Sequence, residues 1–594
     1  MKIRKSLITV AVFASMVILG NTALMASGAG AASGGVYSVP EESQGQLGAV
    51  TTNPYGMAPQ TAVINLNGKS IKDVEVTIEP KKDGTTLTYK VPQEAVQTHE
   101  GIPVFGLYAD YDNKIHVSYT MNGKKVKETY KLYINPEISY EGEYRTKNTN
   151  QYEVTKSSKE FKDRLYFVNK NYIEFKPDTD WKRVGGALGF AYPGITEIID
   201  ATGDIRWHFA CTKLFQNDGR NLDKLGFAAS FKQLKNGDVL FIQGQRYMRY
   251  DIMGREVFNR RLPRGYIDTM HEIIERPNGD LLLRVGKRNY LAPDGKMVNT
   301  LKDHIIEVDS TGRLVHTWDL AKSLDAYRDV LLKALDPRAV CLEVDEHAKK
   351  QEVKEGSPFG DVVGVGSGRN WAHTNSIYYD ESDDTIVVSL RHQGVAKIDK
   401  NDEVKWILAP NVGWKKSLQS KVLTPVDKNG KKLDCEGAVC KNTDFDWSFT
   451  QHTAYLNPEL GKGYLTMFDN GDGRGYEQPA FVTDKYSRAV AYKIDEEKMT
   501  VQQLWEYGKD RGFGWFSMVT GNVNYDADTK SFHTATLNVN LMKFHEPTWG
   551  FIDEIKLDKN NKPYLANEIK INFTGSKTFG YRSGIVKKDL LFGK

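Results

Sequence analysis

Three histidines, an asparagine and an arginine stand at matched places in this chain. His271, His373 and His452 each open an apolar run that turns and returns, Asn375 lies two residues past the second, and Arg391 ends its return run. A lone histidine is more often structural than catalytic, but three at equivalent points of a repeat, beside an arginine, describe a site. Two chemistries compete for it. Three imidazoles could bind Zn²⁺ and leave a fourth position open. Arg391 argues against that, because a fixed cation repels a dication and no Asp or Glu sits at the matching positions. An anion site fits better. The guanidinium fork meets a tetrahedral oxyanion, His and Asn add donors, and one imidazole can act as nucleophile. Sulfate or phosphate esters suit such a site.

The elements that must position these residues read as β-hairpins. Ser376-Ile-Tyr-Tyr-Asp380 turns at 381–384 and returns as Ile386-Val-Val-Ser-Leu390, which makes His373 and Arg391 neighbours. Strand alternation would point Asn375 to the same face as His373. His271 to Gly279 returns as Leu281-Leu-Leu-Arg-Val285, and His452 to Gly461 returns as Tyr464-Leu-Thr-Met-Phe468.

A hydrophobic-Asp pair followed by a polar turn recurs at Asp200, Asp251, Asp309, Asp399, Asp495 and Asp558, with Trp207, Trp318, Trp406 and Trp505 close behind four of them. Six such units, five with a hairpin upstream, predict a six-bladed β-propeller over 161–594. Histidines that open inner strands would gather at one mouth of its channel. Wide spacings require insertions. One holds 323–335, whose apolar spacing fits a helix, and the other is roughly 408–450.

Ahead of the propeller, short alternating strands with Asn-Gly and Asp-Gly turns predict a β-sandwich over 47–135. Residues 136–160 read as a polar linker and 32–46 as a flexible lead. Residues 1–31 read as a signal peptide: Lys2, Arg4 and Lys5, an apolar stretch from Leu7 to Leu19, then small residues up to Ala31. The chain carries +4, of which the leader supplies +3, so the remainder near +1 gives no support to a nucleic-acid partner. No later run is long and apolar enough to span a membrane.

Export would place the four cysteines in an oxidising compartment. Cys435 and Cys440, separated by four residues, read as a local disulfide; Cys211 and Cys341 read as buried thiols. Asp469-Asn-Gly-Asp472-Gly resembles part of a calcium loop but lacks the later Glu, and a tight turn is the simpler reading.

Several stretches resemble the bacterial periplasmic arylsulfate sulfotransferases: Asn370-Trp-Ala-His373-Thr-Asn375, Ser389-Leu-Arg391-His-Gln-Gly394, Thr450-Gln-His452-Thr-Ala, Leu262-Pro-Arg-Gly265, Phe468-Asp-Asn-Gly-Asp-Gly473, Leu47-Gly-Ala-Val50 and Asn53-Pro-Tyr-Gly56. The resemblance covers nearly the whole chain after the leader. It implies a six-bladed propeller with an N-terminal β-sandwich, in a periplasmic homodimer whose disulfide forms in that compartment. It implies transfer of a sulfuryl group from a phenolic sulfate ester to a phenol, with no cofactor, metal or nucleotide sulfate donor. By the match His452 is the nucleophile, passing through a sulfohistidine in a ping-pong cycle. His271, His373, Asn375 and Arg391 hold the sulfuryl oxygens, and Thr520 joins them. Phe190, Phe227 and Tyr581 match positions that pack the phenol ring, and Cys435 and Cys440 match the family's disulfide. A metal-dependent hydrolase of sulfate or phosphate esters and a non-catalytic anion-binding propeller are the alternatives.

Overall fold

The computed structural model describes residues 44–136, 151–172, 194–214, 228–291, 295, 297–326, 328, 371–476, 485–541, 548–573 and 578–593. The expected signal peptide, most of the lead, residues 137–150 of the linker, residues 327 and 329–335 of the expected helix, Cys341, Phe190 and Phe227 lie outside them.

Two antiparallel sheets make the N-terminal domain. One joins Val50–Thr52, Thr61–Asn65 and Gly101–Phe105; the other runs Leu87–Val91, Lys72–Ile78, Tyr111–Met121, Lys124–Ile134. Strands of the second sheet alternate buried and exposed residues, as in Leu87–Val91, because that sheet covers one apolar face, while Gly101–Phe105 of the first is buried throughout. That domain shares its apolar core with the first two sheets of the larger domain through Trp207, Phe209 and Phe241.

Six further sheets of four or five strands follow among the described residues. Adjacent sheets pack face to face in chain order, and the sixth meets the first, as blades do in a propeller. Apolar runs in their middle strands have the pattern this demands. Ile386 and Val388 pack toward the third sheet while Val387 packs toward the fifth, so both faces are buried and the run is continuously apolar. The repeated Asp also has a physical role. Asp200, Asp251, Asp309, Asp399 and Asp558 each accept backbone N–H groups two and four residues on, closing the turn between the third and outer strands. The tryptophans tie sheet to sheet: Trp207 Nε1 donates to Ile252 O, Trp318 Nε1 to Asp399 O, and Trp406 Nε1 to Glu496.

Two strands exchange across the chain ends. Thr578–Val586 pairs with Leu165–Tyr172 and completes the first sheet, which is why the first unit has no hairpin of its own upstream. Gln151–Lys156 pairs with Pro563–Asn572 and adds an edge to the sixth sheet. The reading of 136–160 as linker therefore fails over 151–156, a polar segment whose partner lies some four hundred residues away. The 408–450 insertion adds Thr424–Pro425 as a parallel edge strand to the fifth sheet, and a small ribbon in it carries the Cys435–Cys440 disulfide. Cys211 is a buried free thiol.

Candidate active site

Hairpin geometry brings the residues together. The Arg391 backbone N–H donates to His373 O at 3.2 Å, His452 pairs with Phe468, and Ile273 pairs with Leu283. Simple alternation stops short of the site, however. The inner strands carry β-bulges at their channel ends: between Thr374 and Ser376, between His452 and Tyr455, and between Gly580 and Arg582. Asn375 and Tyr581 are the extra residues, so the bulges rather than strand parity set their directions. His271 and His373 adopt φ of 68° and 52°. Left-handed backbone is costly for a side-chain-bearing residue and persists where surrounding contacts enforce it. At His373 the enforcing group is the carboxylate of Asp303, which accepts the N–H of His373 at 3.1 Å and of Thr374 at 2.9 Å.

The rings of His271 and His373 lie 4.9 Å apart, and His392 stands 5.5 Å beyond His373. Tyr581 and His271 Nδ1 share a short hydrogen bond. From the fourth sheet, Asn375 Nδ2 donates 2.7 Å to Gln451 O, the residue before His452, and Arg391 Nη1 donates 3.2 Å to Thr450 O. Gln451 closes the link by donating its side-chain amide to Leu390 O and Gly394 O. Gly394 must be glycine there: at φ of 110° a Cβ would lie 2.5 Å from Leu408 O.

Every one of these groups is buried. His452 Nδ1 meets Asn470 Oδ1 at 2.6 Å, while its Nε2 is buried with no hydrogen-bond partner. Burial, then the charges of Arg391 and Arg582, hold its pKa well below the ordinary imidazole value, and the Asn470 bond only partly opposes them. His373 is likewise pushed well down, by burial and then by His271, His392, Arg391 and Arg284. At rest His452 and His373 are therefore neutral imidazoles beside a permanent cation.

Thr520 is buried beside Asn470. Its hydroxyl accepts from Asn538 Nδ2 at 2.9 Å and reaches Leu537 O at 3.3 Å, while its carbonyl holds the Asn470 amide. The calcium-loop resemblance dissolves into ion pairs. Asp469 accepts from Arg474 and Arg488, and Asp472 from Lys485 and Arg391. Among the described residues no group of three or more His, Cys, Asp or Glu is arranged to hold a metal ion.

Residues 49–135 match the arylsulfotransferase Ig-like domain, and residues 150–582 match Arylsulfotransferase (ASST). The chain belongs to the arylsulfotransferase family. It is 44% identical over 551 residues to Arylsulfate sulfotransferase AssT of Escherichia coli O6:H1, with 90% of each chain covered. It is also 44% identical over 553 residues to Arylsulfate sulfotransferase AssT of Lelliottia amnigena, again covering 90% of each.

Several residues of this arylsulfotransferase site went unread in the sequence. Asn470 and Asp472 lay in plain view in a segment that reads as a turn. Asp303 and Arg582 act on the site from neighbouring sheets, and only the ring of sheets brings them there, whereas Gln451 directly precedes His452. His392 is adjacent to Arg391 in sequence, which was a usable signal.

Proposed function

We propose that this chain transfers a sulfuryl group from a phenolic sulfate ester to a phenol, in two steps through His452. The observation that carries the reading is Nε2 of His452: buried, unpartnered, held in an uncharged ring, and close enough to Arg391 to feel its charge. In the first step the Nε2 lone pair attacks sulfur. The S–O bond to the aryl group breaks and its electron pair leaves with the phenolate. Arg391, His271 and His373 stabilise charge on the sulfuryl oxygens and the departing oxygen. In the second step a phenol oxygen attacks the same sulfur, the N–S bond breaks, and the phenol proton passes to a neutral imidazole of the site. One pocket serves two similar phenols in turn, which gives ping-pong kinetics.

In this reading Asn375 keeps one N–H for the sulfuryl group, the other being bound to Gln451, and Thr520 joins the residues that hold the sulfuryl oxygens. Phe190, Phe227 and Tyr581 are carried over from the resemblance as the residues that pack the phenol ring. The donor is an aryl ester, with no nucleotide sulfate, cofactor or metal. Export to the periplasm through residues 1–31, disulfide formation there and a homodimer complete the proposal.

The test withholds acceptor. The enzyme is mixed with an aryl sulfate and quenched in alkali, where an N–S bond survives better than in acid. Peptide mass spectrometry is expected to find one added SO₃ on the His452 peptide, discharged by a phenol. Normal phenol release with no such adduct would overturn the reading.

A further inference from the structure

Asn470 follows the strand Tyr464–Asp469 and is completely buried. Its side-chain nitrogen donates to two backbone carbonyls of the next sheet's approach, Ser517 O at 2.6 Å and Thr520 O at 2.9 Å. Carbonyl oxygens only accept, so the NH₂ must face them and the amide has one orientation. Its Oδ1 then faces His452 Nδ1 at 2.6 Å and can only accept there. The backbone is fixed as well, since Ser487 Oγ donates to Asn470 O at 2.8 Å. The state of one ring nitrogen follows from the bond made by the other: the Nδ1 atom of His452 carries the hydrogen and Nε2 is bare.

We infer that Asn470 is a positioning residue for the sulfuryl transfer: it selects the Nδ1–H tautomer of His452 and keeps that hydrogen on the ring once the N–S bond has formed. The inference rests on the proposed role of His452 as nucleophile. Its chemistry has two halves. Before transfer, a hydrogen on Nε2 would block attack, and the Asn470 carbonyl removes that option. After transfer, Nε2 has given its electron pair to sulfur and the ring is a cation carrying Nδ1–H. An amide oxygen is too weak a base to take that hydrogen. When phenol attacks, the group that leaves sulfur is therefore a neutral imidazole. A carboxylate at 470 could accept the hydrogen, turning the leaving group toward imidazolate and stranding the sulfated enzyme.

The test compares wild type with Asn470→Asp and Asn470→Ala in single-turnover experiments. Asn470→Asp is expected to lengthen the phenol-driven discharge of sulfated His452 on the order of tenfold or more. It is also expected to move the acid limb of donor cleavage to higher pH, because a carboxylate favours the protonated ring. Asn470→Ala is expected to slow donor cleavage without that upward move. Unchanged lifetime and pH limb in a folded Asn470→Asp variant would overturn the inference. If the variants do not fold, nitrogen-15 spectra of histidine-labelled wild type, assigned against His452→Gln, decide the matter. Bare Nε2 and protonated Nδ1 support the inference; the opposite tautomer sinks it. Failure of wild type to sulfate His452 would instead sink the transfer reading while leaving the tautomer result intact.

Discussion

Arg391 donates through Nη2 to Asp472 at 3.3 Å, and both side chains are buried. Asp472 has a second cation, Lys485, at 2.6 Å. The carboxylate thus anchors the guanidinium but does not depend on it for neutralisation. With one Nη on Thr450 O and the other on Asp472, the buried and unpartnered Nε remains, together with the second hydrogen of each Nη.

Arg391→Lys is therefore expected to fold and to lose catalysis. Lysine keeps the charge, but three donors on one nitrogen cannot hold Thr450 O, Asp472 and a sulfuryl oxygen in the plane the fork defines. Loss of a donor aimed at developing negative charge typically costs about 10²–10³ in rate. Circular dichroism should match wild type while aryl sulfate turnover falls by about that factor. Near-normal turnover would remove Arg391 from the anion clamp.

Donor cleavage should hold its rate well into mild acid. In the proposed transfer only neutral His452 can attack, and burial with the Arg391 charge keeps its pKa well below the ordinary value of about 6.5. The single-turnover rate should be level through about pH 6.5 and fall only further down, as the ring gains a proton. A limb centred near the ordinary imidazole value would mean that a solvent-exposed group governs the step.

Reduction of the Cys435–Cys440 disulfide should leave global stability almost untouched. The bond closes a ribbon whose turn is exposed, with Val439 60% accessible, while Ala438 and Cys440 touch only the margin of the core between the fourth and fifth sheets. On the chain-entropy view so short a loop contributes about 2 kcal/mol, and locally. Proteolysis within 428–441 should quicken on reduction while the main unfolding transition stays in place. A large fall in that transition would show that the ribbon holds the fifth sheet together.

What could be read from the sequence was local. The six Asp turns and five hairpins are each written within about twenty residues, and the structure keeps them. His373 and Arg391 could be paired because one hairpin holds both. The rest depends on distance or on backbone irregularity. Gln151–Lys156 finds its partner only when the ring is assembled. The bulges at Asn375 and Tyr581 leave no mark in the residue pattern. Asn470 sits in an Asp-Asn-Gly-Asp phrase that reads as a turn, and only the carbonyls of Ser517 and Thr520 reveal its orientation.

Glu272, next to His271, offers a test of how the floor of the site is held. It is fully buried and accepts from Arg582 at 2.8 Å, Lys232 at 2.6 Å, Tyr455 at 2.7 Å and Ser230 at 2.8 Å. Arg582 in turn donates to the Asn375 carbonyl, so the cluster braces the candidate site from below. Burial alone would raise the Glu272 pKa, but the charges of Arg582 and Lys232 and the hydrogen bonds bring it down to about 2. A depressed carboxylate pKa contributes stability that is fully present above the unfolded value of about 4.3 and is lost as pH falls through the folded value. Glu272→Gln should thus cost about 3 kcal/mol at neutral pH, since it leaves the Arg582 charge buried and uncompensated. Urea unfolding should show a gap between wild type and variant that is level down to about pH 4.5 and narrows below it. A gap that stayed constant with pH would assign the loss to packing around the new amide and not to the carboxylate charge.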